Sequence, residues 1–115
     1  MDYNLEGKVF RSVANTANGD VGTETLFRYR QAADMVTADY SGGGIVVGHL
    51  IARVLAGGRL DMRYHHLNDK GRFMLGTCIS TPERLPDGRL RFKEEWRWLS
   101  GDQSSGYSEI EEVER

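Results

Sequence analysis

Glu94 stands between Phe92 and Trp96 in a stretch that alternates strictly from Leu90 to Trp98. Leu90, Phe92, Glu94, Trp96 and Trp98 share one face of a β-strand, and Arg91, Lys93, Glu95 and Arg97 share the other. A carboxyl group on an apolar face is desolvated. That favours its neutral form unless a cation or several donors hold it. Such a group could anchor a ligand in the interior or exchange a proton as a general acid/base. The plainer account is a buried acid held by an inward Arg or by a Tyr hydroxyl.

A second group lies on the stretch from Leu60 to Leu67. Leu60, Met62, Tyr64 and His66 share one face, and Asp61, Arg63, His65 and Leu67 share the other. With the first set inward, Tyr64 and His66 carry polar tips into an apolar interior beside Glu94, the usual make-up of a small-molecule pocket. With the second set inward, Arg63 offers a bidentate donor for a carboxylate. The first arrangement is preferred, although Tyr and His also sit in cores with their polar atoms satisfied. The aromatics Phe27, Tyr29, Phe92, Trp96 and Trp98 could stack a planar ligand or simply fill a core. The candidate ligand-binding residues are therefore Glu94, Tyr64, His66, Arg63, Trp96, Trp98 and Tyr29. No catalytic residue is assigned.

Other chemistries find less support. His65 and His66 are adjacent, so on a strand their rings point to opposite faces and cannot share an ion. His49, His66 and Glu94 could form a facial set, but no His-x-Glu or Cys-x-x-Cys spacing favours one. Cys78 reads as a small buried hydrophobe, with no helix N-terminus or cationic cluster beside it. Ser41, Ser80 and Ser100 lie outside any Gly-x-Ser-x-Gly elbow. No metal and no cofactor is expected.

The elements that must position these residues are extended. Asn18-Gly19-Asp20, Gly42-Gly43-Gly44, Gly57-Gly58, Asn68 to Gly71, Pro86-Asp87-Gly88 and Gly101-Asp102 read as turns. Between them lie strand-length segments: Lys8 to Ala14, Thr23 to Gln31, Met35 to Ser41, Ile45 to Leu55, Leu60 to Leu67, Phe73 to Thr81, Arg89 to Leu99 and Tyr107 to Val113. Connections this short favour hairpins, because a parallel crossover needs about a dozen residues or more. An antiparallel meander of about eight strands follows. Closing it into an up-and-down barrel removes both open edges. A two-sheet sandwich is the alternative. Gly48 and Gly76 sit within strands, where they would ease bulges or bends, and Glu109 to Arg115 are expected to fray.

Composition sets the outer bounds. At 115 residues the chain suits one barrel domain, 1–115, with a core of its own. A net charge of -2 lacks the basic excess that nucleic-acid binding calls for. Arg28, Arg30, Arg89, Arg91, Lys93 and Arg97 form basic stripes on solvent faces, diluted by Glu24 and Glu95. The acidic start, Met1 to Glu6, is no secretory signal. No run approaches the roughly 18 apolar residues of a spanning helix. The lone Cys78 fits a reducing compartment. A cytoplasmic protein with no nucleic-acid or membrane partner is expected, and self-association is left open.

Four segments carry a resemblance: Tyr40-Ser41-Gly42-Gly43, Leu60 to Tyr64, Gly76 to Glu83 and Glu94 to Asp102. As a set the chain resembles a family of small, uncharacterised bacterial proteins, often labelled N-acetylglutamate synthase, with a lipocalin-like, calycin-type barrel. The resemblance implies that fold and, through the label, acetyl transfer. An acetyltransferase of the usual kind needs a strand-to-helix turn whose backbone N–H groups hold pyrophosphate. Gly42-Gly43-Gly44 runs instead into Ile45-Val46-Val47, a strand. Three functions are therefore weighed: a small-molecule-binding barrel with a polar-anchored apolar lumen, an enzyme using the lumen with Glu94 as acid/base and His66 as partner, and a structural or oligomeric barrel with a filled core.

Overall fold

The two-residue alternation of apolar and polar side chains becomes an inside and an outside. In the computed structural model, which describes residues 2–113, eight strands follow one another and close into a barrel. They are β1 (Val9–Asn15), β2 (Leu26–Ala32), β3 (Met35–Gly42), β4 (Ile45–Val54), β5 (Leu60–Asn68), β6 (Phe73–Arg84), β7 (Leu90–Trp98) and β8 (Ser105–Glu112). Each pairs antiparallel with the next, and β8 returns to β1, leaving no open edge. A 3-10 turn, Ala56–Gly58, is the one helical piece among the described residues. No helix is long and apolar enough to cross a membrane.

The all-β antiparallel barrel and its strand count match the expectation, with local departures. β2 begins at Leu26, not Thr23. Thr25 belongs to the β1–β2 connection, where its Oγ1 donates to the Gly42 carbonyl at 2.9 Å. β6 continues beyond Thr81 through Pro82 to Arg84, because pairing with β5 ends at Ser80 and a proline is tolerated where only one neighbour strand remains. The β2–β3 hairpin turns on Ala33 at φ 54°, a left-handed position held by an alanine. The expected fraying fails for Glu109 to Glu111, which pair with both β1 and β7, and for Glu112, which pairs with β1; Glu114 and Arg115 lie outside the described residues.

Gly76 marks no bulge, contrary to expectation, whereas Gly48 borders one: the β3–β4 register shifts between the Tyr40–Gly48 and Gly42–Ile45 pairs. The register shifts fall at Ser12/Ala14, Tyr40/Gly42 and Ile45/Val47. Each glycine lies directly opposite an aromatic residue: Gly48 against Tyr40, Gly76 against Tyr64, and Gly106 against Trp96. A Cβ at any of the three would overlap the facing ring. The missing side chains let the rings lie flat against the inner wall of the barrel.

The two ends of the barrel differ. At one end Leu5, Phe10, Leu60, Leu90, Phe92 and Ile110 are fully buried, with Phe10 and Phe92 rings 5.5 Å apart. The segment before β1 straps this end. Tyr3 packs edge-on against Phe92 at 5.8 Å and donates its hydroxyl to the Gly58 carbonyl at 2.6 Å, while the Leu5 N–H meets Gln31 Oε1 at 3.0 Å. The other end opens into a cavity.

Replacing Gly48 tests the glycine–ring pairing. Tyr40 cannot swing aside, since Phe27 stacks on its ring at 5.0 Å and its hydroxyl meets His66, and the added methyl would also lie 2.9 Å from His66 Cβ. Gly48→Ala should lower stability by about 1–3 kcal/mol in urea unfolding. Gly22→Ala, whose added methyl meets nothing within 4 Å, should leave the midpoint nearly unchanged.

Candidate functional site

Residues near one end of the inner face line a cavity of about 50 Å³, room for a few waters. β7 supplies Glu94, Trp96 and Trp98, and β5 supplies Met62, Tyr64 and His66. Alternation turns Phe92, Glu94, Trp96 and Trp98 all inward, and advance along β7 carries them from the closed end to the open one. The face of β5 left undecided by sequence is settled: Leu60, Met62 and His66 are buried, and Tyr64 lines the cavity.

The rings form a continuous belt. Phe27 stacks on Tyr40 at 5.0 Å, and Tyr40 meets His66 edge-on at 5.6 Å. His66 lies 5.7 Å from Trp98, which contacts Tyr64 at 5.8 Å and Trp96 at 5.3 Å. Such edge and offset contacts stabilise the belt beyond the area it buries.

Glu94 lies below this belt, only 8 % exposed. Ser80 donates to its Oε2 at 2.6 Å and Ser108 to its Oε1 at 3.3 Å. Neither an inward Arg nor a Tyr hydroxyl holds it, contrary to the plainer account given above. Burial dominates over the two hydroxyls and pushes the carboxyl from 4.5 up to about 7. Tyr29, Tyr40, Tyr64 and Cys78 all have their ionisation pushed up, first by burial and further by Glu94, so they stay protonated. Cys78 is buried and unactivated, as expected.

His66 is clamped from both sides. Its Nδ1 lies 2.9 Å from the Tyr40 hydroxyl and its Nε2 lies 2.9 Å from Asp20 Oδ2. Burial lowers its pKa despite the opposing pull of Asp20, so the neutral ring prevails. A carboxylate can only accept, which puts the proton on Nε2 and leaves Nδ1 to accept from Tyr40. Asp20 comes from the β1–β2 connection, which folds over the mouth. The Trp98 indole N–H donates to the Asn18 carbonyl at 3.1 Å, and Asn15 Nδ2 donates to the Val21 carbonyl at 2.7 Å.

Five of the seven sequence candidates, Glu94, Tyr64, His66, Trp96 and Trp98, line this cavity. Arg63 does not: it faces solvent, its Nη1 bonded to Asp61 at 2.7 Å and to Thr77 at 2.9 Å. Tyr29 is buried, but it packs on Phe10 at 5.1 Å towards the closed end and is absent from the lining. His49 and His65 face outward, and His49 bonds Asp39 at 2.9 Å, so the set of His49, His66 and Glu94 is not assembled. Among the described residues no His, Cys, Asp and Glu group is placed to hold a metal ion.

Sequence reading missed Asp20, Tyr40, Ser108 and Asn15 in the lining and Ser80 beneath Glu94. Ser80 and Ser108 lie at inward-facing strand positions, where a small polar residue is itself a signal. Asp20 sits in a loop, and its approach to His66, 46 residues away, has no local pattern.

The family described as Avidin-like protein has a profile that matches residues 3–113. No curated protein and no solved structure gives a significant match. The matched family has a calycin-type barrel like the one observed, and nothing in the match carries the N-acetylglutamate synthase label.

Glu94→Gln separates charge from volume. The raised pKa means that wild-type stability holds below pH 4.5 and is lost as pH rises through about 7. Gln does not titrate. In urea unfolding the variant should match or slightly differ from wild type near pH 4.5, then exceed it by on the order of 3 kcal/mol at pH 9. A gap that does not widen with pH would place the carboxyl in a wetter setting than the structure does.

Proposed function

The chain belongs to the avidin-like family, and on that premise we propose that the barrel binds one small organic molecule at its open end. The single observation that carries the reading is the aromatic belt above a buried, cation-free carboxyl. Apolar rings supply contact area, and a few placed polar groups, Glu94, His66 and Tyr64, fix orientation. Trp96 and Trp98 would flank the molecule. The loop bearing Asp20 closes over it.

An enzyme using Glu94 and His66 is less well supported. Both His66 nitrogens are engaged, by Tyr40 and Asp20, and Glu94 is held by Ser80 and Ser108. Acid/base partnership calls for the two groups to meet each other or one common point, and no hydrogen bond joins them among the described residues.

Self-association is the second part of the proposal. Val47 of β4, Leu67 of β5 and Phe73 of β6 are register partners across the outer face, and Leu99 bonds Leu75 beside them. Val47 is 59 % and Phe73 76 % exposed. A contiguous apolar outer face of this kind marks a contact surface, and a second copy is its plainest partner.

Two experiments test these readings. Native mass spectrometry of protein purified from its own source should show a retained small molecule. Adding that compound, with biotin-like compounds as first probes, should change tryptophan fluorescence, and Trp98→Ala should weaken binding at least tenfold, about 1.4 kcal/mol. An empty barrel that also ignores every probe ends the ligand reading. Light scattering should find more than one copy per particle, and Phe73→Asp should shift the particle to monomer. A wild-type monomer at high concentration defeats the second part.

A further inference from the structure

We propose that the cavity selects a ligand whose head group is a cationic N–H donor, such as an amidinium, guanidinium or primary ammonium, and rejects carboxylates. This rests on the reading of the open end as a ligand site and specifies what enters it. Among the described residues no Lys or Arg is buried; all lie on the outer surface or in the connections. The interior therefore offers no positive side chain to meet an anion.

It does hold acceptors with capacity to spare. Glu94 receives one hydroxyl donor on each oxygen and has no cation beside it, so each oxygen keeps a lone pair free. Asn15, also in the lining, has a buried Oδ1 without a hydrogen-bond partner. Its orientation is fixed, because Nδ2 donates to the Val21 carbonyl at 2.7 Å and a flip would set two oxygens against each other. Asp20 adds a third acceptor at the rim. The titratable groups on other strands that feel the charge of Glu94 are Tyr29 of β2, Tyr40 of β3, Tyr64 of β5 and Cys78 of β6, with His66 nearby, and all are neutral near pH 7.

An entering carboxylate would sit beside Glu94 in a dry site with no buried cation to pair it. An amidinium instead makes charge-assisted hydrogen bonds to the carboxylate. On its way in it passes the rings of Trp96, Trp98 and Tyr64, whose π-systems can attract a cation. The cavity volume of about 50 Å³ suits a compact planar head with its tail towards the mouth.

An isosteric series of benzamidinium, benzamide and benzoate isolates the charge. Titration calorimetry on the whole chain at pH 7.5 should show benzamidinium at least tenfold tighter than benzamide, with benzoate unbound. Glu94→Gln should lose at least tenfold in benzamidinium affinity and abolish the preference for benzamidinium over benzamide. On wild type, lowering the pH to 5.5 should weaken benzamidinium at least fivefold, because Glu94 takes up its proton; this readout needs no variant. Benzamide or benzoate binding as well as benzamidinium overturns the charge selection and leaves the pocket standing. Binding of none of the three overturns the proposal, and the native mass spectrum then decides separately whether a pocket exists.

Discussion

The inner face of a closed barrel has a fixed area, and every side chain that enters it takes space from a neighbour across the strand. The rest of this structure follows from that limit. Tyr40, Tyr64 and Trp96 fit because Gly48, Gly76 and Gly106 stand opposite them. The pairing flattens three rings against the wall at the open end. At the other end Phe10 and Phe92 face no such glycines, and their rings meet over the intervening β8 instead. One barrel is thus solid along part of its length and hollow along the remainder, a division set by where glycines fall along the strands.

The same two-residue period separates charge from rings. On β7 the outward residues enter an ion-pair ladder: Arg91 meets Glu111 at 2.6 Å and Glu83 at 3.5 Å, and Lys93 meets Glu83 at 3.1 Å. These pairs are partly exposed and each contributes little. Their value is collective, since they keep cations on the outside. Glu94, one residue from Lys93, is carried inward by strand parity alone, and only two serines meet it. The strand therefore places opposite electrostatic environments on its two faces.

How much of this was readable from sequence depended on distance along the chain. The alternation of Leu90 to Trp98 needs only its own residues, so the inward set of β7 was legible, Glu94 included. The strand count was legible because turn residues punctuate each hairpin. The role of Gly48 was not, since it depends on register with Tyr40, and register is a property of two strands. Tyr29 shows a different limit: parity says that a residue points inward, but not how deep along the barrel it lies. Arg63 followed from the undecided face of β5. The Asp20–His66–Tyr40 clamp joins three elements that no local pattern links.

The strap formed by the residues before β1 has a kinetic consequence. With Tyr3 and Leu5 stoppering one end, the described residues form a tube closed there and open at the other end. In the proposed binding role a newcomer could not push an occupant out from behind; it would have to wait for departure through the entrance both must use. Exchange would then run at the pace of escape, unaffected by how much competitor is supplied, and the traffic would be timed by the Asp20 loop lying across that threshold.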